Sequence, residues 1–504
     1  MSQLRWFLAC LAAFIPATAL AQQPKPKAMV GAYYFDGWSG GTDEIHITKL
    51  LTAEYADRKP VWGWKDDTVE IMQKQIDYCA DHDIAFWAFD WYYPEGKAKT
   101  TPLNNALGLY LKAPNCQRMK FCLLVANHEG FRIGPKDWDA CCDKWIELFQ
   151  KPTHLRLDSQ PLLIFFSPDE LQKAFGSVEG VRKAFDSLRS KAKKAGLLGV
   201  SIAACTGPGG HLGDLSRSGY TLLTGYNYPL GWHNGGGSQP FRKLIEGSER
   251  IFNQFAEQTP LPYVPVITAG WDRRPWEQGQ MPPEKMSVWY PDRTPKLVEE
   301  FVRLGVHWID KHPDKTTPQR LLLIYAWNEN GEGGYLTPTE KDGSVYLKAV
   351  QRAISGEPKL VQIDAKDKNG ADFAMRATET KRGDKTSTIK VIRKKMFGSV
   401  GSSMFVVQAF YEIAKARKCE YFVNLKEWDD KDGNRIYIGG FTNKKDADLK
   451  REFGDQFEYK NEYGQERKLL SVSEFAPLFE QMRGAAKPTA DSKRTQPKEG
   501  QSKQ

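Results

Sequence analysis

Glu329 and Glu332 stand three residues apart in the stretch Trp327-Asn328-Glu329-Asn330-Gly331-Glu332-Gly333-Gly334. Paired carboxyl groups are what glycoside hydrolysis usually requires: one protonates the leaving oxygen while the other works as base or nucleophile. Trp327 and Asn328 beside them add a ring and an amide, groups suited to a sugar's faces and hydroxyls. The pair follows residues 321–326, a continuous apolar run that reads as a strand buried on both faces. Polar groups just past the carboxyl end of a buried parallel strand are where an α/β barrel keeps its chemistry. A merely solvated acidic turn has little use for the tryptophan or the glycines.

Positioning such a pair takes a scaffold, and the chain carries the pattern of one. Apolar runs at 29–35, 84–89, 121–126, 161–166, 199–204, 221–224, 263–268 and 321–326 read as eight short strands. Helical patterns at 68–81, 138–149, 178–195, 241–255 and 295–311 alternate with them. This predicts an α/β fold, a (β/α)8 TIM barrel over residues 28–354. A doubly wound open sheet is the rival, but no phosphate loop or dinucleotide fingerprint is present. If the barrel forms, its strand ends converge on one face. The candidate substrate-binding groups there are Tyr33, Tyr34 and Asp36; Asp90 and Trp91; Asn127, His128 and Glu129; Tyr226, Asn227 and Tyr228; Trp271, Asp272 and Arg273; and Trp327 and Asn328. Glu329 and Glu332 are the candidate catalytic pair. Plainer readings compete at single positions: Tyr33 as core, Asp36 and Asp90 as helix caps, Arg273 as the ion partner of Asp272.

Residues 357–482 read as a smaller α+β domain, with a helix over 404–417 capped by Ser403 and strands at 421–425 and 435–438 joined through Asp432-Gly433. No role is assigned to it. The run 429–433 lacks the ligand positions of an EF-hand. Residues 483–504 carry six basic residues against Asp491 and Glu499, without aromatics, and read as a disordered basic tail. At the other end, Arg5, the apolar stretch 6–15 and Ala19-Leu20-Ala21 form a secretory signal at residues 1–21, with cleavage near Ala21. The expected location is therefore periplasmic or extracellular, with no transmembrane segment. Cleavage removes one of the 8 Cys, and the odd remainder leaves at least one unpaired within the chain; one or two disulfides are open.

Metal chemistry finds no His-x-His or His-Glu-x-x-His among 8 His, so no metal and no cofactor are expected. A serine-hydrolase elbow is absent. Nucleic acid is not an expected partner, because the +9 charge comes with no binding motif beyond the tail. The expected partner is a polysaccharide or glycan; oligomeric state is open.

Residues 327–333 with Tyr335-Leu336-Thr337-Pro338 resemble the last-strand motif of WbsX-like proteins, relatives of glycoside hydrolase family 99 and of the 71/99-like group. Ala32-Tyr33-Tyr34, the run 121–127 and Gly270-Trp271-Asp272 agree in order, so the resemblance covers roughly residues 28–354. It implies a (β/α)8 barrel and a retaining, endo-α-mannosidase-like mechanism. The residue matching Glu329 then acts as base on the sugar's own 2-hydroxyl. The one matching Glu332 acts as acid on the leaving oxygen and later as base on water. On this reading Glu332 needs a raised pKa and Glu329 stays ionised. Asn330 stands where the family carries an aromatic, Gly331 where family 99 has histidine, and His128-Glu129 also depart from the pattern. Two other readings stand beside hydrolysis: a glycosyltransferase or polysaccharide-assembly protein, and a non-catalytic glycan-binding protein.

Overall fold

The structure is a computed structural model that describes residues 27–485 apart from short stretches at 40, 42, 97–99, 210, 230–236, 260, 279–284, 356–359, 367–372, 384 and 395–398. The signal segment and residues 486–504 of the expected tail lie outside the described residues. The chain divides into two compact units, residues 1–357 and 358–504.

In the first unit eight parallel strands alternate with helices. They are β1 (Met29–Tyr34), β2 (Ile84–Trp91), β3 (Lys120–Val125), β4 (Gln160–Phe165), β5 (Ser201–Cys205), β6 (Leu222–Thr224), β7 (Val266–Thr268) and β8 (Leu321–Tyr325). Each pairs with its neighbour in the order β6-β5-β4-β3-β2-β1-β8-β7. A parallel bridge between Leu223 and Tyr263, just ahead of β7, joins the two ends, with Leu223 N–H donating to Pro262 O and Val264 N–H to Leu223 O, both at 2.8 Å. The sheet is thus a TIM barrel, as its alternating apolar runs predict. β6 and β7 are three residues each, shorter than the expected runs, and the bridge does the work of the missing ladder.

The pleat decides which side chains enter the barrel. Alternate residues of a strand face opposite sides, and Gly31 and Tyr33 of β1 point inward. A Cβ on Gly31 would lie 2.4 Å from the ring of Phe86, its pairing partner on β2, so only glycine leaves room for that ring over β1. Tyr34, on the opposite side of β1, packs instead against Trp87 and Phe89.

The helix α1 (Val69–Asp81) is started by Thr68, whose hydroxyl accepts from Ile71 N–H at 3.2 Å. Its buried face is Met72, Gln75, Ile76 and Cys79. Apolar periodicity predicts Ile71 there instead of Gln75. Gln75 is buried because its amide is used at both ends, accepting from Trp327 Nε1 at 2.7 Å and donating toward Asp66. Tyr34 also donates to Asp66, at 3.1 Å. Asp66 is therefore buried with Oδ2 held by Tyr34 and Gln75 and Oδ1 left without a hydrogen-bond partner. Burial, then the charge of Asp36, pushes its carboxyl up to about 7.

The second unit is a six-stranded antiparallel sheet: β9 (Gln362–Lys366), β10 (Phe373–Arg382), β11 (Thr386–Arg393), β12 (Tyr421–Asp429), β13 (Arg435–Thr442) and β14 (Leu470–Ser471) in the order β9-β10-β11-β13-β12-β14. The helices α2 (Ser399–Ala416) and α3 (Val472–Ala485) belong to it. α2 begins before Ser403, so that residue lies inside the helix and is not its cap. α3 runs to Ala485, which takes the first residues of the expected tail into a helix. The Asp432-Gly433 turn joins β12 to β13, with Gly433 at φ 74° and the Asp430 carboxylate accepting from Asp432 and Asn434 N–H at 2.9 Å. Among the described residues all seven cysteines are free, no helix is long and apolar enough to cross a membrane, and no cluster of His, Cys, Asp and Glu is placed to hold a metal.

A group whose folded-state pKa is raised stabilises the fold below its unfolded pKa, and that stabilisation is lost as pH rises through the folded value. For Asp66 the window runs from the ordinary aspartate value to about 7. Asp66→Asn is expected to gain melting temperature on wild type as pH climbs through that window, by an effect of at most about 4 kcal/mol. Thermal melts at acid and neutral pH read it; a pH-independent difference contradicts the buried, proton-holding Asp66.

Candidate active site

The segment after β8 carries the carboxylate pair and is fixed along its whole length. Trp327 N–H donates to Tyr33 O at 2.7 Å, Ala326 N–H to Gly334 O at 3.0 Å, and Asp272 N–H to Glu332 O at 2.6 Å. The Asn328 amide brackets Phe35, accepting from its N–H at 2.9 Å and donating to its carbonyl at 2.7 Å. The same two-bond bracket recurs at Asn127 on Ser167 and at Asn104 on Tyr92. Asn328 and Asn127 thus tie neighbouring loops at the barrel mouth rather than offering their amides to a ligand. The Tyr325–Ala326 peptide is cis.

Inside this frame Glu329 is buried and Glu332 is half-buried, with 13% of its side chain exposed. Glu332 accepts from the Tyr325 hydroxyl and lies 3.1 Å from Arg273 Nε. Glu329 Oε1 accepts from the Tyr226 hydroxyl at 3.0 Å, and the same hydroxyl lies 3.0 Å from Asp90 Oδ2. Glu329 Oε2 and Asp90 Oδ1 are buried without a hydrogen-bond partner. The Tyr226 ring sits among Tyr33, Phe166 and Tyr325 at centroid distances of 5.0, 5.3 and 5.0 Å. Trp271 packs on Tyr325 and lies under the Arg273 guanidinium.

Burial raises both glutamate pKa values. For Glu329 the charges of Glu332 and Asp90 add to the rise, and it lies well above the usual carboxylate range. For Glu332, Arg273 and the Tyr325 hydroxyl oppose the effect of burial. The two carboxyls are thus unequal: a third carboxyl beside Glu329 adds to its rise, while the cation beside Glu332 opposes its own. The rise at Glu332 is in the expected direction; the rise at Glu329 runs against the expectation that it stays ionised.

Several expected site residues lie elsewhere. Trp91 turns outward against Trp145, and Trp327 donates to Gln75 of α1 and packs on Trp87. Asp36 is a cap: it accepts from Ser39 Oγ and Ala106 N–H, and burial pushes its carboxyl up to about 6. Asp272 is closed by Arg58 and Arg274, so the partner read as Arg273 is its neighbour in sequence, and Arg273 is left to Glu332. Tyr33 and Tyr228 bond within the barrel, to Gly225 O at 2.6 Å and Thr206 O at 3.0 Å. His128 packs on Tyr92, Phe131 and Phe166, Glu129 is exposed, and Asn227 is half-buried.

Tyr325, Tyr92 and Arg58 also shape the site. Tyr325 reads as one more apolar strand residue. Tyr92 shares Asp90's face two residues on, and its phenol is raised by burial and then by the charges of Asp90, Glu329, Asp36 and Glu332; strict period-two alternation selects it over Trp91. Arg58 ends a short 3-10 helix, Ala56–Arg58, far from the motif in sequence, and has no sequence signal. Its guanidinium donates to Asp272 O at 3.0 Å and Asn330 O at 3.2 Å while Asn330 Nδ2 donates back to Arg58 O at 2.8 Å. The departures at 330 and 331 follow from these contacts. Asn330 is a buried tie, and a Cβ on Gly331 would lie 2.1 Å from the Trp276 indole, which fills the space a side chain there would need.

With this geometry in view, the family model described as glycosyltransferase WbsX matches residues 239–350, the segment that contains the carboxylate motif, and bears out the WbsX-like resemblance there. No curated protein matches the chain. Solved structures similar to it include the GH99 endo-alpha-mannosidase from Bacteroides thetaiotaomicron, at 13% identity and TM-score 0.48 over 65% of this chain and 96% of that one. The same enzyme in complex with Bis-Tris-propane gives 13% and 0.47 over the same shares. A glycoside hydrolase-like protein gives 13% and 0.46 over 66% of this chain and 97% of that one.

Breaking the buried Arg58–Asp272 contact by Arg58→Met is expected to cost about 3 kcal/mol of unfolding free energy. It also loosens the segment carrying Glu329 and Glu332. Denaturant titration measures the first; an effect below 1 kcal/mol, taken as about the value of an exposed pair, would contradict the clamp.

Proposed function

We propose that this protein is an exported glycoside hydrolase that acts on a polysaccharide or complex glycan with retention of configuration. The observation that supports it most is the placement of a buried Glu329 and a half-buried Glu332 together at the barrel mouth in unlike surroundings, one beside a third carboxyl and the other beside a cation. Pairs of carboxyl groups held in different environments are how glycosidases divide acid and base work.

On the mechanism the resemblance implies, Glu332 protonates the leaving oxygen and Glu329 removes the proton of the sugar's 2-hydroxyl as that oxygen attacks the anomeric carbon. Glu332 then serves as base on the water that reopens the ring. Glu329 must be ionised and Glu332 protonated for this to begin, so the rise in pKa at Glu329 has to be overcome when substrate binds. Tyr92, Tyr226 and Trp271 supply rings and a hydroxyl for the sugar.

Product release from a panel of α-mannans, sulfated polysaccharides and other glycans tests the reading. Wild type is expected to release reducing ends from one class. Glu332→Gln and Glu329→Gln are each expected to lose roughly 100-fold or more of that rate while keeping ligand binding. Because burial raises both carboxyls, the acid limb of the rate profile is expected above the ordinary carboxylate value of about 4. Unchanged turnover in both variants would remove the assignment. A second reading, glycosyl transfer, draws on the name of the matching family; binding of a sugar nucleotide without hydrolysis of any glycan would favour it.

A further inference from the structure

A single phenolic proton cannot satisfy two ionised carboxylates. Tyr226 stands 3.0 Å from Asp90 Oδ2 and 3.0 Å from Glu329 Oε1, and its one O–H can donate to only one of them. The other contact is a hydrogen bond only if that carboxyl carries a proton and donates to the phenol oxygen. Asp90 and Glu329 are both about 95% buried, at 5% and 4% exposure, and each keeps a second oxygen without any partner, so solvent does not rescue an ionised pair. We propose that Asp90, Tyr226 and Glu329 form a proton relay that holds one carboxyl proton between them, with Asp90 as the residue that takes it when Glu329 must act as a base.

The relay step balances. Glu329 gives its proton to the Tyr226 oxygen while the phenol gives its own to Asp90 Oδ2. Two O–H bonds break and two form, the phenol is neutral before and after, and one negative charge passes from Asp90 to Glu329. Glu329 is then free to accept a proton from a substrate hydroxyl. Asp90 touches no reacting atom in this scheme; it is a positioning residue that sets the charge of Glu329 through Tyr226.

The charged and titratable neighbours agree with where the proton rests. Glu332 and Asp90 face Glu329 and disfavour its charge, while Arg273 favours it; Glu332 also disfavours the charge on Asp90. The phenols of Tyr92 and Tyr325 face the same carboxyls and are held neutral by burial. Arg273 is the cation of this group, and it is engaged with Glu332 at 3.1 Å. The catalytic use of the relay rests on the hydrolase reading above; the proton count does not.

Infrared spectroscopy of the full chain near neutrality counts the proton, since a protonated carboxyl has a carbonyl stretch that a carboxylate lacks. Asp90→Asn and Glu329→Gln are each expected to remove one such component from the wild-type spectrum. The double variant is expected to remove the same single component. Loss of two components in the double variant would show that each group carries its own proton, and loss of none would show both ionised; either overturns the relay. Tyr226→Phe keeps both carboxyls, so the component is expected to persist and move to higher frequency, and an unmoved band also overturns it. Absence of glycan hydrolysis by wild type would remove the hydrolase reading and leave this proton count standing. A wrong count with hydrolysis intact would remove only the relay.

Discussion

The anchoring of one short segment, residues 326–337, is the constraint on which the rest of the site depends. Both candidate catalytic carboxyls stand on it, and nearly every polar group along it is used. The backbone is tied to Tyr33, Asp272 and its own returning strand, Asn328 holds the loop after β1, and Asn330 and Arg58 hold each other. Glu332's carbonyl is spent on Asp272, whose side chain is neutralised by two arginines. A loop held this way positions side chains as a strand would, which a precise acid–base pair requires. Rigid placement also allows the two glutamates to stand together without collapsing onto one another.

Burial then sets the chemistry. Three carboxyls, Asp90, Glu329 and Glu332, share a mouth in which Arg273 is the cation engaged with them. Charge of one sign in a dry site cannot be fully developed. Burial therefore raises all three, and Tyr226 and Tyr325 are the hydroxyls that bond to them. Residues of the same type are made unlike by their neighbours, which is what the proposed division of acid and base work needs.

Much of the architecture was legible because it follows from periodicity. Eight apolar runs alternating with helical patterns are enough for the barrel, and the run into Glu329 and Glu332 marks the end where its candidate site lies. Less of the site was legible, for physical reasons that differ by residue. Listing every polar or aromatic group near a strand end mixes both faces of the pleat. Tyr34 and Trp91 are neighbours in sequence of inward-facing groups and point outward for that reason alone, while Trp327 lies past the end of β8, where alternation no longer applies, and turns to Gln75. Asp36 and Asp272 carry the right chemistry, but their carboxylates are already used by Ser39, Ala106 N–H, Arg58 and Arg274. Arg58 and the Trp276 indole against Gly331 are tertiary contacts that no local pattern announces. Even the ion pair was displaced by one residue, because a turn of helix puts Arg274 rather than Arg273 on Asp272.

On the proposed mechanism Glu329 and Glu332 face the same sugar, one at its 2-hydroxyl and the other at its glycosidic oxygen. The decisive measurement is a crystal structure of Glu332→Gln with an oligosaccharide released from the active glycan. It is expected to show a sugar ring against Tyr226 and Trp271, its 2-hydroxyl within hydrogen-bond reach of Glu329 and its glycosidic oxygen beside residue 332. A ligand whose scissile oxygen lies away from both side chains, or one bound outside the barrel mouth, would contradict it.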